Sequence, residues 1–187
     1  VAAGAPEGLI GCMTMPTLEA TEELMKHKQV AIILATGGAG LVKAAYSSGK
    51  PAYGVGPGNV PAYIDRSASI AKAVKDVLTG KTFDNGTVCA SEQSLIVDAP
   101  IESQVVAELK RLKGFFLTEE EGRKLEAFAI QQDGKLNPQI VGKSALWIAQ
   151  RAGIDVYPDT RALVVPLKGV GSEFPLSCEK LSPILSY

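Results

Sequence analysis

Cys89 sits in the stretch Phe83-Asp84-Asn85-Gly86-Thr87-Val88-Cys89-Ala90-Ser91-Glu92-Gln93. This places a thiol just after a helix-like segment and just before the apolar run Leu95-Ile96-Val97, with Asn85-Gly86 as a turn signal. Cysteine is the strongest ordinary nucleophile a protein carries, and a turn at an element boundary can present it to a substrate. The competing use is as a small buried hydrophobe, the commonest one for a free cysteine. A second candidate is Ile32-Ile33-Leu34-Ala35-Thr36-Gly37-Gly38-Ala39-Gly40, a strand running through a glycine turn into a helix start. Such a turn aims backbone N–H groups and a positive helix end at an anion, which suits a phosphate. Its glycines lack the G-x-G-x-x-G spacing and no P-loop lysine follows, so a purely structural turn accounts for them equally. A third is Gly54-Val55-Gly56-Pro57-Gly58-Asn59-Val60-Pro61. It reads either as a stiff loop between domains or as a wall against which a flat ligand lies, since glycine permits close backbone approach.

The remaining candidates are quieter. His27, between Lys26 and Lys28 near a helix end, is the only histidine and reads as a solvated helix-terminal residue rather than a base. Without a second histidine a cysteine–histidine hydrolase has little support. Cys12 lies in an apolar patch and reads as structural, and Glu179 taken alone is a surface carboxylate. The three cysteines, Cys12, Cys89 and Cys178, have neither metal-ligand spacing nor the look of a disulfide framework, so no metal site is expected.

The elements that must position these residues alternate between helix and strand. Helices are expected over 16–28, capped by Thr14 or Thr17, over 41–48, and over 69–82, where Ile70, Val74, Val77 and Leu78 keep helical spacing. Further helices are expected over 101–113, over 118–132 with a capping box from Thr118 to Glu121, and over 144–152. Strands are expected over 30–34, 52–55, 62–65, 94–98 and 161–166. The alternation argues for an α/β fold with mainly parallel sheet.

At 187 residues the chain can bury a core as one domain or as parts of two. A net charge of −1, with no run of Lys or Arg, speaks against a nucleic-acid partner. The longest strongly apolar run, 30–35, is far too short to cross a bilayer, and no secretory signal is recognisable. Three scattered cysteines without a disulfide framework make a reducing, cytoplasmic setting the expectation. The chain opens on Val1-Ala2-Ala3-Gly4 and stops at Tyr187 inside an apolar segment, so it is expected to be an internal fragment.

Taken in order, these pieces resemble the aldehyde dehydrogenase superfamily over essentially the whole chain, and within it the CoA-acylating branch. The residues that carry the resemblance are Ala35-Thr36-Gly37-Gly38, 42–51, Gly54 to Asn59, Lys81 to Gln93, and Glu179-Lys180-Leu181-Ser182-Pro183. They look like the aldehyde dehydrogenase part of bifunctional aldehyde–alcohol dehydrogenases. The resemblance implies an aldehyde dehydrogenase-like α/β fold, with a partial Rossmann-type cofactor domain over 1–58 and a partial catalytic domain over 59–187. It makes Cys89 the nucleophile that forms a thiohemiacetal and then a thioester. Thr36, Gly37, Gly38 and Gly56 would lie along NAD, and Glu179 would hold the nicotinamide ribose. Where hydrolytic members carry a general-base glutamate, the best-aligned residue here is Val55, which cannot activate water. The acyl group should therefore pass to coenzyme A, giving reversible conversion of a small aldehyde, in the first place acetaldehyde, to acyl-CoA. Some relatives have a histidine just before Glu-Lys-Leu-Ser-Pro, and Cys178 stands there instead. The family also implies a homo-oligomer and, in the bifunctional members, a following iron-dependent alcohol dehydrogenase domain. A fragment of this kind, lacking the first cofactor-binding βαβ and the carboxy-terminal part, is expected to turn over poorly. A hydrolytic enzyme, an acylating enzyme for another aldehyde and a non-catalytic nucleotide-binding module remain alternatives.

Overall fold

The computed structural model describes residues 2–187, which divide into two compact units, the first ending at Pro57 and the second Gly58–Tyr187. In the first, α1 (Leu18–Lys26), β1 (Ile33–Thr36), α2 (Ala39–Tyr46) and β2 (Ala52–Val55) follow one another. Thr17, rather than Thr14, caps α1, its Oγ1 accepting from Ala20 N at 3.1 Å. β1 and β2 pair in parallel, Ile33 opposite Ala52 and Thr36 opposite Val55. Ile33 and Ala35 join Met25 and Ala45 in a small core, while Leu34, Tyr53 and Val55 on the pair are exposed. The strand starts three residues later than the apolar run suggests. Val30 N is donated back to His27 O at 3.0 Å in the turn after α1, so pairing begins only beyond it.

The second unit runs β3 (Val60–Ile64), α3 (Ile70–Thr82), β4 (Glu92–Val97), α4 (Glu102–Arg111), β5 (Gly114–Phe116), α5 (Glu119–Ala129), α6 (Ala145–Arg151), β6 (Ala162–Val165) and β7 (Ile184–Ser186). Its sheet has the order β3-β4-β7-β6-β5, and every neighbouring pair is parallel. β6 and β7 are buried at every residue, as strands covered on both faces must be. Side-chain alternation divides them between two cores. Leu163, Val165 and Ile184 pack with Leu125 and Ala129 of α5 and Ile148 and Ala149 of α6. Ala162 and Leu185 pack on the other side with Val74 and Leu78 of α3 and Val105 and Leu109 of α4. The sheet is therefore the middle layer of an α/β/α sandwich, a form of the α/β fold with mainly parallel sheet that the alternation argues for.

The α5 capping box is complete: Thr118 Oγ1 accepts from Glu121 N at 3.3 Å, and Thr118 N donates to Glu121 Oε2 at 2.8 Å. β5 and β7 were not legible, each being three residues long. Among the described residues no helix is long and apolar enough to cross a membrane.

Candidate functional site

Parallel pairing has a direct consequence for function: the loops leading into neighbouring strands all arrive at the same edge of the sheet. β3, β4 and β7 are neighbours, and Gly58, Cys89 and Glu179 stand two, three and five positions before their first residues. Sequence positions 58, 89 and 179 thus meet at one edge. A Cβ built on Gly58 would lie 3.0 Å from Cys89 O and 3.8 Å from Glu179 Oε1. Only glycine brings backbone this close to the cysteine loop without pushing it.

The loop that presents Cys89 is built from residues suited to unusual backbone. After α3 the chain passes through Asp84, Asn85 and Gly86 with φ of 47°, 51° and 75°. Asp, Asn and Gly are the types that enter this left-handed region most readily. The two non-glycine residues still cost about 1–3 kcal/mol each. Local bonds offset that cost. Thr87 Oγ1 lies 2.7 Å from Asp84 Oδ2 and 3.0 Å from Asp84 O, and Asn85 Nδ2 donates to Gly142 O at 3.0 Å. Gly86 admits no side chain, because a Cβ there would stand 2.7 Å from Ser182 O and 2.8 Å from Lys81 O. Ser91 N donates to Val88 O at 2.9 Å, closing a tight turn around Cys89, whose side chain is exposed and free.

Below the loop lies a buried polar cluster that sequence reasoning missed. Lys81, Gln93 and Lys180 are each fully buried. Lys81 Nζ donates to Gln93 Oε1 at 3.1 Å, and Lys180 Nζ donates to the carbonyls of Leu176 (2.6 Å), Cys178 (2.8 Å) and Gln93 (3.0 Å). Burial pushes the Lys81 ammonium down to about 7, against the raising effect of the Glu92 and Glu179 carboxylates. Burial also holds Lys180 well below the ordinary lysine range, and the charge of Lys81 adds to this. One signal was available: Lys81 continues the stripe Val74-Val77-Leu78 at the next helical position, on the face that is buried.

Glu179 is half-buried, and its carboxylate forms no hydrogen bond among the described residues. Cys178 beside it is exposed and free.

The other expected residues belong to the first unit. Thr36 ends β1, Val55 ends β2 opposite it, and Gly37 N donates to Val55 O at 3.1 Å. Gly38 caps α2 with no side chain, and a Cβ at Gly38, Gly40 or Gly56 would meet nothing within 4 Å. Thr36, Gly37, Gly38, Val55 and Gly56 therefore gather at the carboxyl ends of two parallel strands, where α/β folds receive ligands. The open helix start leaves backbone N–H groups for a phosphate.

His27 terminates α1 and is exposed, with Nδ1 accepting from Gln29 N at 3.3 Å. Cys12 is exposed rather than packed into a core, because the apolar residues around it, Ile10 and Met15, face outward too. Among the described residues no cluster of three or more His, Cys, Asp or Glu could hold a metal ion.

The profile of the aldehyde dehydrogenase family matches residues 1–113. The aldehyde-alcohol dehydrogenase of Streptococcus pneumoniae serotype 4 is 49% identical over 194 residues, covering 100% of this chain and 22% of that protein. Among solved structures, an acetylating aldehyde dehydrogenase from Geobacillus thermoglucosidasius is 59% identical with a TM-score of 0.94, covering 99% of this chain and 41% of that one. The propionaldehyde dehydrogenase of Rhodopseudomonas palustris, solved with bound propionyl-CoA, is 33% identical with a TM-score of 0.83, over 91% of this chain and 38% of that one. The chain thus spans between about a fifth and two-fifths of the relatives it matches.

Proposed function

The chain belongs to the aldehyde dehydrogenase family, and we propose that it supplies the cysteine-bearing part of a CoA-acylating enzyme. The reaction is aldehyde + CoA + NAD+ to acyl-CoA + NADH + H+, run in either direction. The observation that carries this reading is the meeting of Cys89, Gly58 and Glu179 at one edge of the sheet. The loop that carries this exposed thiol and the half-buried Glu179 carboxylate both approach Gly58, the loop through the backbone carbonyl of Cys89.

These residues fit a nicotinamide nucleoside. The Glu179 carboxylate is free to accept from ribose hydroxyls, and the open α2 start with Thr36, Gly37, Gly38 and Gly56 suits a pyrophosphate. NAD, when bound, supplies the hydride acceptor. Cys89 Sγ adds to the aldehyde carbonyl carbon, and the oxygen becomes an oxyanion that backbone N–H groups of the turn can stabilise. Loss of hydride from that carbon leaves an acyl thioester on Cys89. The sulfur of a CoA thiolate then attacks the thioester carbonyl, the Cys89–acyl bond breaks, and the Cys89 thiolate is restored. Transfer from one thioester to another is close to thermoneutral, so acyl-CoA can equally be reduced.

Val55 supports CoA over water as acceptor. It is exposed at the end of β2, opposite Thr36, and a valine carries no group that could deprotonate water. Residues 1–58 then act as the second half of a cofactor domain and 59–187 as part of the catalytic domain. Acetaldehyde is the favoured substrate, in line with the acetylating aldehyde dehydrogenase of Geobacillus thermoglucosidasius, and the bifunctional relatives support a following alcohol dehydrogenase domain. Three free cysteines suit a cytoplasmic location.

The test is acetyl-CoA-dependent NADH oxidation by the full-length protein that carries this chain, beside a Cys89→Ser variant. The parent is expected to oxidise NADH and the variant to lose at least about 1,000-fold in rate. An unchanged rate in Cys89→Ser sinks the mechanism.

A further inference from the structure

A single buried carboxamide joins the segment that carries Cys89 to the segment that carries Glu179. Gln93 is fully buried in β4. Its Nε2 donates to Ser91 O and to Ser91 Oγ, both at 3.1 Å. Its Oε1 accepts from Lys180 N at 3.0 Å and from Lys81 Nζ at 3.1 Å. All four bonds a carboxamide can make are therefore used. Ser91 is two residues from Cys89, and its Oγ also donates to Gly86 O at 3.3 Å, at the left-handed turn. Lys180 is the residue after Glu179.

The far side of Glu179 is held as well. Lys180 Nζ donates to Cys178 O at 2.8 Å, and Asn59 Nδ2 donates to Ser177 O at 3.0 Å. A second bridge runs through the Gly142 backbone: Gly142 N donates to Leu181 O at 3.2 Å, while Gly142 O accepts from the Asn85 side chain, Nδ2, at 3.0 Å. Packing alone asks for none of this. An interior strand position is filled more cheaply by an aliphatic residue, and a buried amide is tolerable only when every arm is satisfied. The four arms of Gln93 all end on the two reacting segments or on the helix behind them.

We propose that Gln93 is a positioning residue of the acyl-transfer site, its carboxamide setting the spacing between the Cys89 loop and the Glu179 segment. The proposal rests on the reading of Cys89 as nucleophile and Glu179 as ribose holder. Hydride leaves the carbon attached to Cys89 for an acceptor fixed by Glu179, so an error of an ångström in that spacing slows the step directly.

Gln93→Glu tests it in the full-length protein. The glutamate keeps the acceptor facing Lys180 N and Lys81 but removes both donors to Ser91. The expected result is a kcat about tenfold lower, with KM for NADH within about twofold, because the Lys180 side is retained. A folded Gln93→Glu protein with kcat within about twofold of the parent overturns the proposal. Should Gln93→Glu fail to fold, Ser91→Ala, which deletes one arm, is read in the same way with an expected loss of about threefold. If the parent itself does not oxidise NADH, the functional reading has failed, and the geometric claim is read from alkylation instead. Mass-spectrometric mapping of iodoacetamide labelling then compares Cys89 with Cys12 in parent and variant. A rise of about threefold in the Cys89-to-Cys12 ratio supports the coupling, and an unchanged ratio overturns it.

Discussion

At the scale of single residues, the site depends on small distances. A methyl group at Gly58 would stand 3.0 Å from Cys89 O, so the cysteine loop must give by a few tenths of an ångström. Gly58→Ala is accordingly expected to fold, with a thermal midpoint near the parent's, and to lose about tenfold in kcat in the NADH oxidation assay. Lys81 offers a different handle. Its folded value near 7 lies below the ordinary 10.5 because burial disfavours the ammonium. The unfolded chain therefore binds more protons between about pH 7 and pH 10.5, and stability rises with pH across that window. Below pH 7 the ammonium is charged in both states and the full cost of burying it is borne. Denaturant unfolding should gain about 1–3 kcal/mol between pH 7 and pH 9.5, a fraction of the shift's nominal worth of about 1.4 kcal/mol per unit. Lys81→Met should flatten that rise, and Lys180, shifted in the same direction, should keep part of it.

Cys89 was legible at this scale because its turn residues and the motifs around it are local. Gln93 was not. Gln93 lies just before the strand expected over 94–98 and carries no local sign of burial; the arrival of Lys180, 87 residues later, makes it a buried junction.

At the scale of elements, the turn after α3 and the start of α5 make contrasting predictions. Gly86 combines φ 75° with backbone of Ser182 and Lys81 packed against the place a Cβ would occupy. Gly86→Ala should cost about 3 kcal/mol or more, seen as a large fall in thermal midpoint with loss of the soluble folded protein. Thr118→Ala removes one side of a capping box far from the site. It should cost about 1 kcal/mol in denaturant unfolding and leave NADH oxidation unchanged. Long helices and their caps were readable because spacing and cap chemistry repeat within a few residues. β1 began later than its apolar run because the turn after α1 claims Val30. β7 passed unnoticed although it pairs with both β4 and β6 inside the sheet. Three residues carry no periodicity, and their strand character comes wholly from their neighbours.

At the scale of the whole molecule, the two units differ in what supports their sheets. The second has five parallel strands with a core on each face. The first has two, with Leu34, Tyr53 and Val55 exposed on the pair, and a two-stranded sheet is marginal by itself. Amide exchange in the isolated chain should therefore be faster over β1 and β2 than over β6 and β7; equal protection would refute this. For the same reason the 187 residues alone are expected to turn over poorly compared with the full-length protein in the NADH oxidation assay. The sequence by itself determined the α/β class, the family resemblance and the nucleophile candidate, since these rest on residue type and short-range spacing, while the reading of Val55 is what the resemblance implies. Only the tertiary structure decided that Gly58, Cys89 and Glu179 meet, and that Gln93 ties two of them together. The physical reason is strand order: β7, last in the chain, inserts beside β4, and parallel pairing then delivers the leading loops of both to one edge.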